Sequence, residues 1–408
     1  MKPLFSLFLL SAFLFSGCSE ENLFEYETID IPAIDNIEFT KSEEVSNGSL
    51  NDYSVSLLNK IAEEASEIEN EQGNILISPL SLSCMLAMTA NSGDKGMEKA
   101  VCELLGQDDI QSLNTTFNKL IRFLKSSTNG GNFVMANSVW VDENTTPESY
   151  FTGILNNTFY SDIYSINLND NKSTNIINNW CETKTDGLIK KVTVNTSDQL
   201  RFCVVNALTY EGEWINEFDP LRTKSDIKFN GRDGESTIAM MHNELSSQNY
   251  ENDDFVSIVF PFKGQTDMIF ILPKEDKNVY DVAKRMSPST LTAIKEDYKD
   301  EMTALSLPKF TCSSSDKDLI NMLYKMGIPE TIVPTLSGIS EETKVSVRQT
   351  NTINVYEKGA KAASVTIDDL SVTAPRIVRE ININRPFIFL IENKVTETIL
   401  MAGIINNL

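Results

Sequence analysis

The sequence predicts one large α+β domain, and three observations lead to this prediction. Segments with the apolar spacing of amphipathic helices dominate the first half of the 408-residue chain, and strand-like segments dominate the second half. Neither an internal repeat nor a composition break typical of a linker interrupts residues 48–408. The hydrophobic content of 41% is ordinary for a globular protein. Helices and strands segregated along the chain are typical of the α+β class.

The predicted helices begin near the start of this domain. The first, Asn51–Ile68, has a continuous apolar stripe. The second runs from Pro79 to Ala90, because Ser78 is a suitable N-cap and proline is favoured at the first helical position. The same pattern predicts seven more helices, over Lys95–Leu105, Leu113–Leu124, Pro147–Asn156, Ser173–Gly187, Val279–Met286, Leu291–Tyr298 and Asp316–Met326.

The predicted strands are short apolar runs. Phe202–Leu208 is continuously apolar apart from Asn206, so it is predicted to be a central strand whose asparagine must find buried partners. Phe255–Phe262 and Met268–Leu272 are predicted to form a hairpin across Gly264. The other predicted strands are Asn74–Ile77, Phe133–Val141, Met302–Thr311, Pro386–Ile391 and Thr398–Ile405.

Charge and histidine content exclude several classes of function. The formal net charge of −23 argues against binding to nucleic-acid phosphates or anionic lipid and favours plain solubility. His242 is the only histidine, which excludes most catalytic triads and most zinc sites, so we expect it to have an ordinary packing or surface role. No metal or other cofactor is expected, and an enzyme is the least favoured class.

The cysteines do not indicate a disulfide framework. Apart from Cys18 they are odd in number, scattered, and without a C-x-x-C pair. Several stand in apolar surroundings, so we expect buried thiols at Cys84, Cys102, Cys181, Cys203 and Cys312.

Residues 1–17 are predicted to be a signal peptide. Lys2 supplies the positive end, Leu4–Phe15 the apolar core, and Phe15-Ser16-Gly17-Cys18 the small-residue site. The arrangement resembles a bacterial lipoprotein signal with Phe15 in place of the usual leucine, which implies cleavage before Cys18 and lipid on that cysteine. An ordinary secretory signal with a chance cysteine is the alternative.

Residues 18–47 are predicted to be the lipidated N-terminus and an acidic tether, with a short strand near Ile31–Ile37. Ser19-Glu20-Glu21 resembles the surface-export signal of Bacteroides-type bacteria. The resemblance implies an outer-membrane lipoprotein on the extracellular side, with a periplasm-facing protein as the alternative. Its membrane contact would be through the lipid only.

The stretch from Val345 to Arg379 changes character along its length. Val345–Tyr356 is predicted to be a strand with one buried face, and Glu357-Lys358-Gly359 a turn. If the following residues ever formed a strand, Ala360, Ala362, Ser364 and Thr366 would share one face, and all four are small enough to lie under a covering layer. The alternative is a solvated linker rich in alanine and serine.

These residues resemble those of the serpin family. Glu357 to Ser364, followed after a long loop by Ile383–Ile391, is similar to the hinge, reactive-centre loop and C-terminal strands of a serpin. The resemblance extends from about residue 48 to the end, because further blocks follow in family order at Asn74–Ser81, Val205–Trp214, Phe260-Pro261-Phe262, Ile271-Leu272-Pro273 and Leu307-Pro308-Lys309-Phe310. It implies the serpin fold, with three β-sheets, eight or nine helices and an exposed reactive-centre loop.

The resemblance also assigns roles to individual residues. The hinge would comprise Glu357, Gly359, Ala360, Ala362, Ala363 and Ser364, and the shutter and breach would comprise Ser78, Ser81, Asn206, Gln349 and Trp214. Gln349 stands where many serpins have a histidine, but glutamine can still donate and accept hydrogen bonds. Lys361 replaces the more usual acid, and Asp368 would face inward on full insertion, where an unpaired carboxylate is costly.

The implied function is suicide inhibition of serine endopeptidases, with cysteine endopeptidases as a further class. The target would form a covalent complex with a monomeric inhibitor, and cleavage would let Gly359–Thr373 enter the central sheet. The family's spacing places the reactive bond at Thr373-Ala374, which suggests an elastase-like target; Val372, Arg376 and Arg379 are the alternatives. The rival functions are a non-inhibitory serpin and a surface adhesin or nutrient-binding lipoprotein.

Overall fold

Helices are concentrated in the first half of the chain and strands in the second, as predicted. The computed structural model describes residues 26, 29–67, 73–126, 132–192, 200–313, 323–328, 331–332, 336–337, 343–359 and 378–408. The α-helices of these residues are α1 Lys41–Glu67, α2 Pro79–Ala90, α3 Lys95–Leu104, α4 Ile110–Lys125, α5 Ser149–Thr158, α6 Lys172–Lys184, α7 Val279–Lys284 and α8 Pro288–Glu296. A 3₁₀ turn covers Pro220–Arg222.

The strands form two large sheets. In chain order they are β1 Ile75–Ile77, β2 Asn132–Asp142, β3 Thr146–Pro147, β4 Asp162–Ile166, β5 Leu200–Glu211, β6 Lys224–Gly231, β7 Gly234–Glu251, β8 Phe255–Pro261, β9 Thr266–Pro273, β10 Lys299–Pro308, β11 Phe310–Ser313, β12 Thr331–Ile332, β13 Leu336–Ser337, β14 Thr343–Val355, β15 Arg379–Asn382, β16 Phe387–Asn393 and β17 Ile399–Ile405. This architecture confirms the predicted α+β class.

The six-stranded sheet has the order β11-β14-β5-β2-β4, with β12 beside β14. The nine-stranded sheet has the order β1-β17-β16-β9-β8-β7-β10-β15, with β6 beside β7. β3 and β13 pair separately. The predicted hairpin of β8 and β9 is confirmed by antiparallel pairing from Phe255↔Pro273 to Pro261↔Asp267.

The first helix is longer than predicted. α1 begins at Lys41, so the last residues of the predicted tether are helical. Thr40 and Glu43 form a capping box, in which Thr40 N donates to Glu43 Oε2 at 2.7 Å and Glu43 N donates to Thr40 Oγ1 at 3.4 Å. The prediction missed this first part because its buried residues include polar ones, such as Ser46 and Asn47, and give no apolar stripe.

The strand predicted near Ile31–Ile37 does not form. This segment has no strand pairing, and its backbone bonds to a helix, since Ile34 N donates to Arg122 O at 3.1 Å. Ile31, Ile34 and Ile37 pack against the main hydrophobic core. The three isoleucines are partly buried, and the neighbouring element is α4 and not a sheet edge.

The predicted strand Met302–Thr311 is two strands in two different sheets. β10 ends at Pro308 in the nine-stranded sheet, and β11 begins at Phe310 in the six-stranded sheet. Proline has no N–H to continue a ladder, and Lys309 N donates instead to Ala239 O at 2.9 Å. Lys309 therefore lies at the junction between the two sheets.

Two long strands were not predicted. β6 and β7 form an antiparallel pair closed by Gly231↔Gly234. Their residues are polar or small at most positions, and both faces of β7 carry exposed residues, so the period-two signal of a half-buried strand is absent. Their pairing partners, rather than their own apolar pattern, determine that they are strands.

Hydrophobic cores cover the two faces of the six-stranded sheet at β5. The main core includes Val204 and Leu208 of β5, together with α2. A smaller core includes Cys203 and Val205 on the opposite face, with Trp180 of α6 against them. The five predicted buried cysteines are confirmed: Cys84, Cys102, Cys181, Cys203 and Cys312 are buried and none forms a disulfide.

The helices of the described segments include none with the length and apolar character to span a bilayer.

Candidate functional site

Two neighbouring strands of the six-stranded sheet run parallel. β5 and β14 pair over nine positions, from Lys344↔Leu200 to Thr352↔Thr209. Their outer neighbours are antiparallel to them, since β2 pairs with β5 and β11 pairs with β14 in that sense. A strand that entered between β5 and β14 from the end of β14 would be antiparallel to both.

The chain leaves β14 through a tight turn, which we call the hinge and define as Tyr356–Gly359. Tyr356 N donates to Gly359 O at 3.0 Å, and Gly359 N donates to Tyr356 O at 3.1 Å. Gly359 also forms an antiparallel bridge with Glu213, just beyond the end of β5. Gly359, the last residue of the hinge, is thus bridged to the residue that follows β14 and to a residue just beyond the end of β5.

Glycine is required at position 359 for two reasons. Its φ of +136° lies in a region that side-chain-bearing residues rarely adopt. A Cβ there would also lie 2.0 Å from the carbonyl oxygen of Gly212. The hinge and the end of β5 therefore approach each other more closely than any other residue would allow.

The breach, defined as Trp214 with Phe260 and Phe262, lies against this turn. The Trp214 side chain is fully buried, and its indole Nε1 donates to Tyr356 O at 3.0 Å. The indole stacks on Phe262 with ring centroids 4.1 Å apart and meets Phe260 edge-on at 4.8 Å. Trp214 N also donates to Lys358 O at 2.9 Å, so one residue holds the hinge through both backbone and side chain.

The hinge carboxylate Glu357 is held from two sides. It accepts hydrogen bonds from Thr223 Oγ1 at 2.9 Å and from Lys309 Nζ at 3.0 Å. Burial alone would raise the pKa of Glu357, but hydrogen bonds from its own backbone, Lys309 and Thr223 outweigh burial and hold the pKa below its usual value. The ionised form therefore stabilises the closed hinge, and this contribution is lost as the pH falls through the lowered pKa.

The shutter, defined as Ser78, Ser81, Asn206 and Gln349, lies beneath the middle of β5 and β14. Ser78 N donates to Gln349 Oε1 at 3.0 Å, and Gln349 Nε2 donates to Ser78 O at 2.8 Å. Ser78 Oγ donates to Leu400 O at 2.6 Å and lies 3.0 Å from Ser81 Oγ. Gln349 thus links β14 to the N-terminus of α2 without a group that titrates.

Asn206, the shutter residue of β5, contacts Asn137 of β2. Its amide Nδ2 donates to Asn137 Oδ1 at 2.8 Å, and Asn137 Nδ2 lies 3.7 Å from Cys84 Sγ of α2. The two asparagines are directly paired across β5 and β2, and Asn206 is directly paired with Gln349 across β5 and β14. The prediction that the buried Asn206 must find partners is confirmed for its Nδ2, whereas its buried Oδ1 has no hydrogen-bond partner among the described residues.

Other predicted site residues lie outside the described residues. They are Cys18, Ala360, Ala362, Ala363, Ser364, Val372, Thr373, Ala374 and Arg376. Arg379, an alternative for the reactive bond, begins β15, and its guanidinium pairs with Glu301 at 3.1 Å and with Glu251. His242, expected to have a packing or surface role, is half-buried on β7 and lies 2.9 Å from Ser306 Oγ.

Sequence reasoning missed four residues of the site. Lys309 and Gly212 stood within recognised blocks but received no role. Thr223 lies in a segment for which no structure was predicted. Asn137 could have been found, since an asparagine inside the apolar run of β2 needs a buried partner just as Asn206 does.

The fold and the site together define a class of protein. Its sheet contains two parallel neighbours, and the chain that leaves one of them is already bridged back between both. In such a protein the described part of the hinge ends at the line between the two parallel strands.

The chain belongs to the serpin family. The family model described as serpin (serine protease inhibitor) matches residues 48–408. An uncharacterized serpin-like protein of Thermococcus kodakarensis is 30% identical over 353 residues, which cover 83% of this chain and 81% of that protein. Intracellular coagulation inhibitor 2 of Tachypleus tridentatus is 28% identical, with 83% of this chain and 87% of that protein covered.

Two solved structures illustrate the fold that this chain shares. The thermophilic serpin tengpin, in its native state, has a TM-score of 0.79 at 24% identity and covers 94% of this chain and 98% of its own. Human thyroxine-binding globulin, complexed with thyroxine, has a TM-score of 0.80 at 21% identity and covers 90% of this chain and 99% of its own. These likenesses establish the fold.

Replacing the hinge glycine should loosen the junction between β5 and the hinge. In Gly359→Ala, the new Cβ must displace the Gly212 carbonyl, in addition to the strain of a positive φ. We expect the midpoint of urea unfolding of the intact protein to fall, corresponding to a loss of about 2–4 kcal/mol.

A matched variant separates the two causes. Gly234 has a φ of +130°, but a Cβ there would meet nothing within 4 Å. Gly234→Ala should therefore show the backbone strain alone, about 1–2 kcal/mol. Equal losses in the two variants would contradict a special role for the contact with Gly212.

Removing the shutter amide should destabilise the closed sheet. Gln349→Met keeps the length of the side chain but leaves the buried Ser78 N–H without its acceptor, while Ser78 O keeps the hydrogen bond from Leu82 N at 3.1 Å. We expect a loss of about 1–3 kcal/mol in urea unfolding. Asn354→Met, at an exposed position of the same strand, should change stability by no more than about 0.5 kcal/mol. A comparable loss in both variants would argue against the shutter role.

Proposed function

We propose that this protein inhibits serine endopeptidases, with cysteine endopeptidases as a further class, by taking its own cleaved loop into the six-stranded sheet. One observation carries the proposal. Gly359 already makes antiparallel bridges to Tyr356 and to Glu213, which are the first rungs of the two ladders that an inserted strand would extend.

The dimensions of the sheet support this proposal. β14 is 13 residues long, and the segment from Ala360 to Thr373 is about as long when extended. Each inserted residue would gain ladder partners in β5 or β14 that the loop cannot have in solution. The gain in hydrogen bonds and burial would make the cleaved form the more stable one, so the stability of the intact protein is kinetic.

The chemistry would be supplied by the target. The serine oxygen of the protease attacks the carbonyl carbon of Thr373, the bond to Ala374 nitrogen breaks, and the protease histidine gives that nitrogen the proton it took from the serine. An ester between protease and inhibitor is left. Insertion then carries the attached protease along the sheet and distorts its active site before water can hydrolyse the ester.

The position of the reactive bond rests on family spacing. Thr373-Ala374 presents a small residue to the protease, which suits an elastase-like pocket. Val372 and Arg376 are alternatives, because they lie within a few residues of Thr373 and a small change in the spacing from Gly359 would move the reactive bond to them. Arg379 is less suited, because its ion pairs with Glu251 and Glu301 hold it at the start of β15.

We further propose that the mature chain is a monomer anchored through lipid on Cys18, on the outside of a bacterial outer membrane. The support is the signal-like pattern of the first residues and the acidic residues that follow Cys18. The net charge of −23 supports a protein that contacts neither nucleic acid nor anionic lipid through its folded part.

Incubation with an elastase tests the proposal. We expect a complex that survives SDS and a C-terminal fragment whose mass begins at Ala374. A fragment that begins elsewhere would move the reactive bond, whereas cleavage without complex would favour a non-inhibitory serpin, a reading that the similarity to thyroxine-binding globulin keeps relevant. The melting temperature should also rise after cleavage, and an unchanged melting temperature would exclude insertion.

A single substitution in the loop should separate trapping from cleavage. Ala360→Arg would place a charged side chain where the inserted strand must pass under a covering layer. We expect this variant to be cleaved at the same bond but to release active protease. The matched change Lys361→Arg, on the opposite face of the strand, should leave inhibition intact. Full inhibition by Ala360→Arg would contradict the proposed register.

A further inference from the structure

A buried carboxylate lies outside the hinge, breach and shutter. Glu392, at the end of β16, has a side chain that is only 5% exposed. Its Oε1 lies 3.0 Å from Lys295 Nζ of α8. Its Oε2 is buried and has no hydrogen-bond partner among the residues that the structure describes. Such an oxygen is costly when it carries charge.

The charged groups around Glu392 come from three elements. Asp267 of β9 is directly opposite Glu392 in the register, and Lys394 Nζ lies 3.3 Å from Asp267 Oδ1. Lys295 of α8 is shared, since it also lies 3.4 Å from Glu397 Oε2. The nearby α1 contributes a neutral group to this turn, Asn47, whose Nδ2 donates to Thr396 O at 2.6 Å.

These surroundings favour the neutral acid over the carboxylate. The pKa of Glu392 is raised to about 7, with burial as the largest cause. The charge and hydrogen bond of Lys295 act in the opposite direction, and the charges of Glu397 and Asp267 add to the effect of burial. Geometry also favours the neutral acid, because Glu392 Oε2 has no hydrogen-bond partner among the described residues and Asp267 lies directly opposite.

Glu392 pairs with the residue next to Leu400, which accepts a hydrogen bond from Ser78 of the shutter. In the register of β16 and β17 it lies opposite Ile399, after an irregularity between Ile391 and Glu392. The next residue, Leu400, supplies the carbonyl that accepts the hydrogen bond from Ser78 Oγ. The hairpin that contains Glu392 thus supports the serine that Gln349 holds from β14.

We propose that Glu392 is a proton-controlled support of the shutter. When it is protonated, the turn after β16 buries no uncompensated charge and Leu400 stays fixed beneath Ser78. When it is ionised, the hairpin is destabilised and the sheet opens more readily between β5 and β14. Since Gln349 cannot titrate, this site gives the closed sheet a pH dependence that the shutter itself does not have.

The sign of the effect follows from linkage. The folded state binds this proton more tightly than the unfolded state, so the stabilisation is complete below the ordinary pKa of a glutamate and is lost as the pH rises towards about 7. The effect is opposite in sign to that of Glu357, whose pKa is lowered.

Thermal melting of the intact protein without protease tests the proposal, so its outcome is separate from that of the inhibition experiments. Wild type and Glu392→Gln are melted at one scan rate between pH 5 and pH 8. We expect the melting temperature of the variant, relative to wild type, to rise by about 2–4 °C over this range. Glu44→Gln, at an exposed position of α1, is the control and should follow wild type at every pH.

A second variant distinguishes titration of Glu392 from a change in packing caused by Glu392→Gln. Lys295→Met removes the cation that favours ionised Glu392, so the midpoint of the pH-dependent change should move to higher pH. A midpoint that stays in place, or the same pH profile in Glu392→Gln and wild type, would overturn the assignment of the proton to Glu392.

Hydrogen exchange tests the connection to the shutter. After correction for the intrinsic pH dependence of exchange, peptides that contain Ser78 and Gln349 should exchange faster at pH 8 than at pH 6 in wild type, by about tenfold, and equally in Glu392→Gln. Equal protection at both pH values in wild type would show that the proton at Glu392 does not reach the shutter and would overturn that part of the proposal.

Discussion

The contact between Gly359 and the Gly212 carbonyl is the constraint on which the rest of the site depends. It holds the exit of β14 against the end of β5, and only a residue without a side chain fits there. Two further contacts depend on the meeting of these two strand ends. The indole of Trp214 donates to the hinge carbonyl of Tyr356. Glu357 accepts hydrogen bonds from Lys309 and Thr223. The hinge is therefore fixed by packing and hydrogen bonds together.

In the six-stranded sheet, β5 and β14 are paired by backbone hydrogen bonds over nine positions, but polar side chains lie at and beneath the line where the two strands meet. Asn206, Gln349 and Ser78 are buried; Gln349 and Ser78 hydrogen-bond to each other, and Asn206 donates to Asn137. Hydrogen bonds can be exchanged for others at modest net cost, whereas an interlocked apolar layer would have to be taken apart. A polar layer at this place suits the separation of β5 from β14 that the proposed inhibition requires.

Buried ionisable groups act on the closed form in opposite directions. Glu357 is satisfied by a cation and a hydroxyl and favours the closed hinge when ionised. Glu392 has one unsatisfied oxygen and a second carboxylate opposite, so ionisation works against the hairpin that supports Ser78. Together these two sites would give the closed sheet its greatest stability in mildly acidic solution.

The sequence by itself determined the α+β class, most helices and apolar strands, and the buried cysteines, while the resemblance to the serpin family supplied the expected hinge, breach and shutter roles. These features depend on local sequence signals, such as apolar spacing, the helix start at Ser78-Pro79, and the position of Asn206 inside an apolar run. The structure alone decided the parallel pairing of β5 with β14, the change of sheet at Lys309, the strands β6 and β7, and the partners Thr223 and Asn137. Each of these depends on contacts between segments that are far apart in the chain, and neither the spacing nor the composition of a single segment specifies its partner.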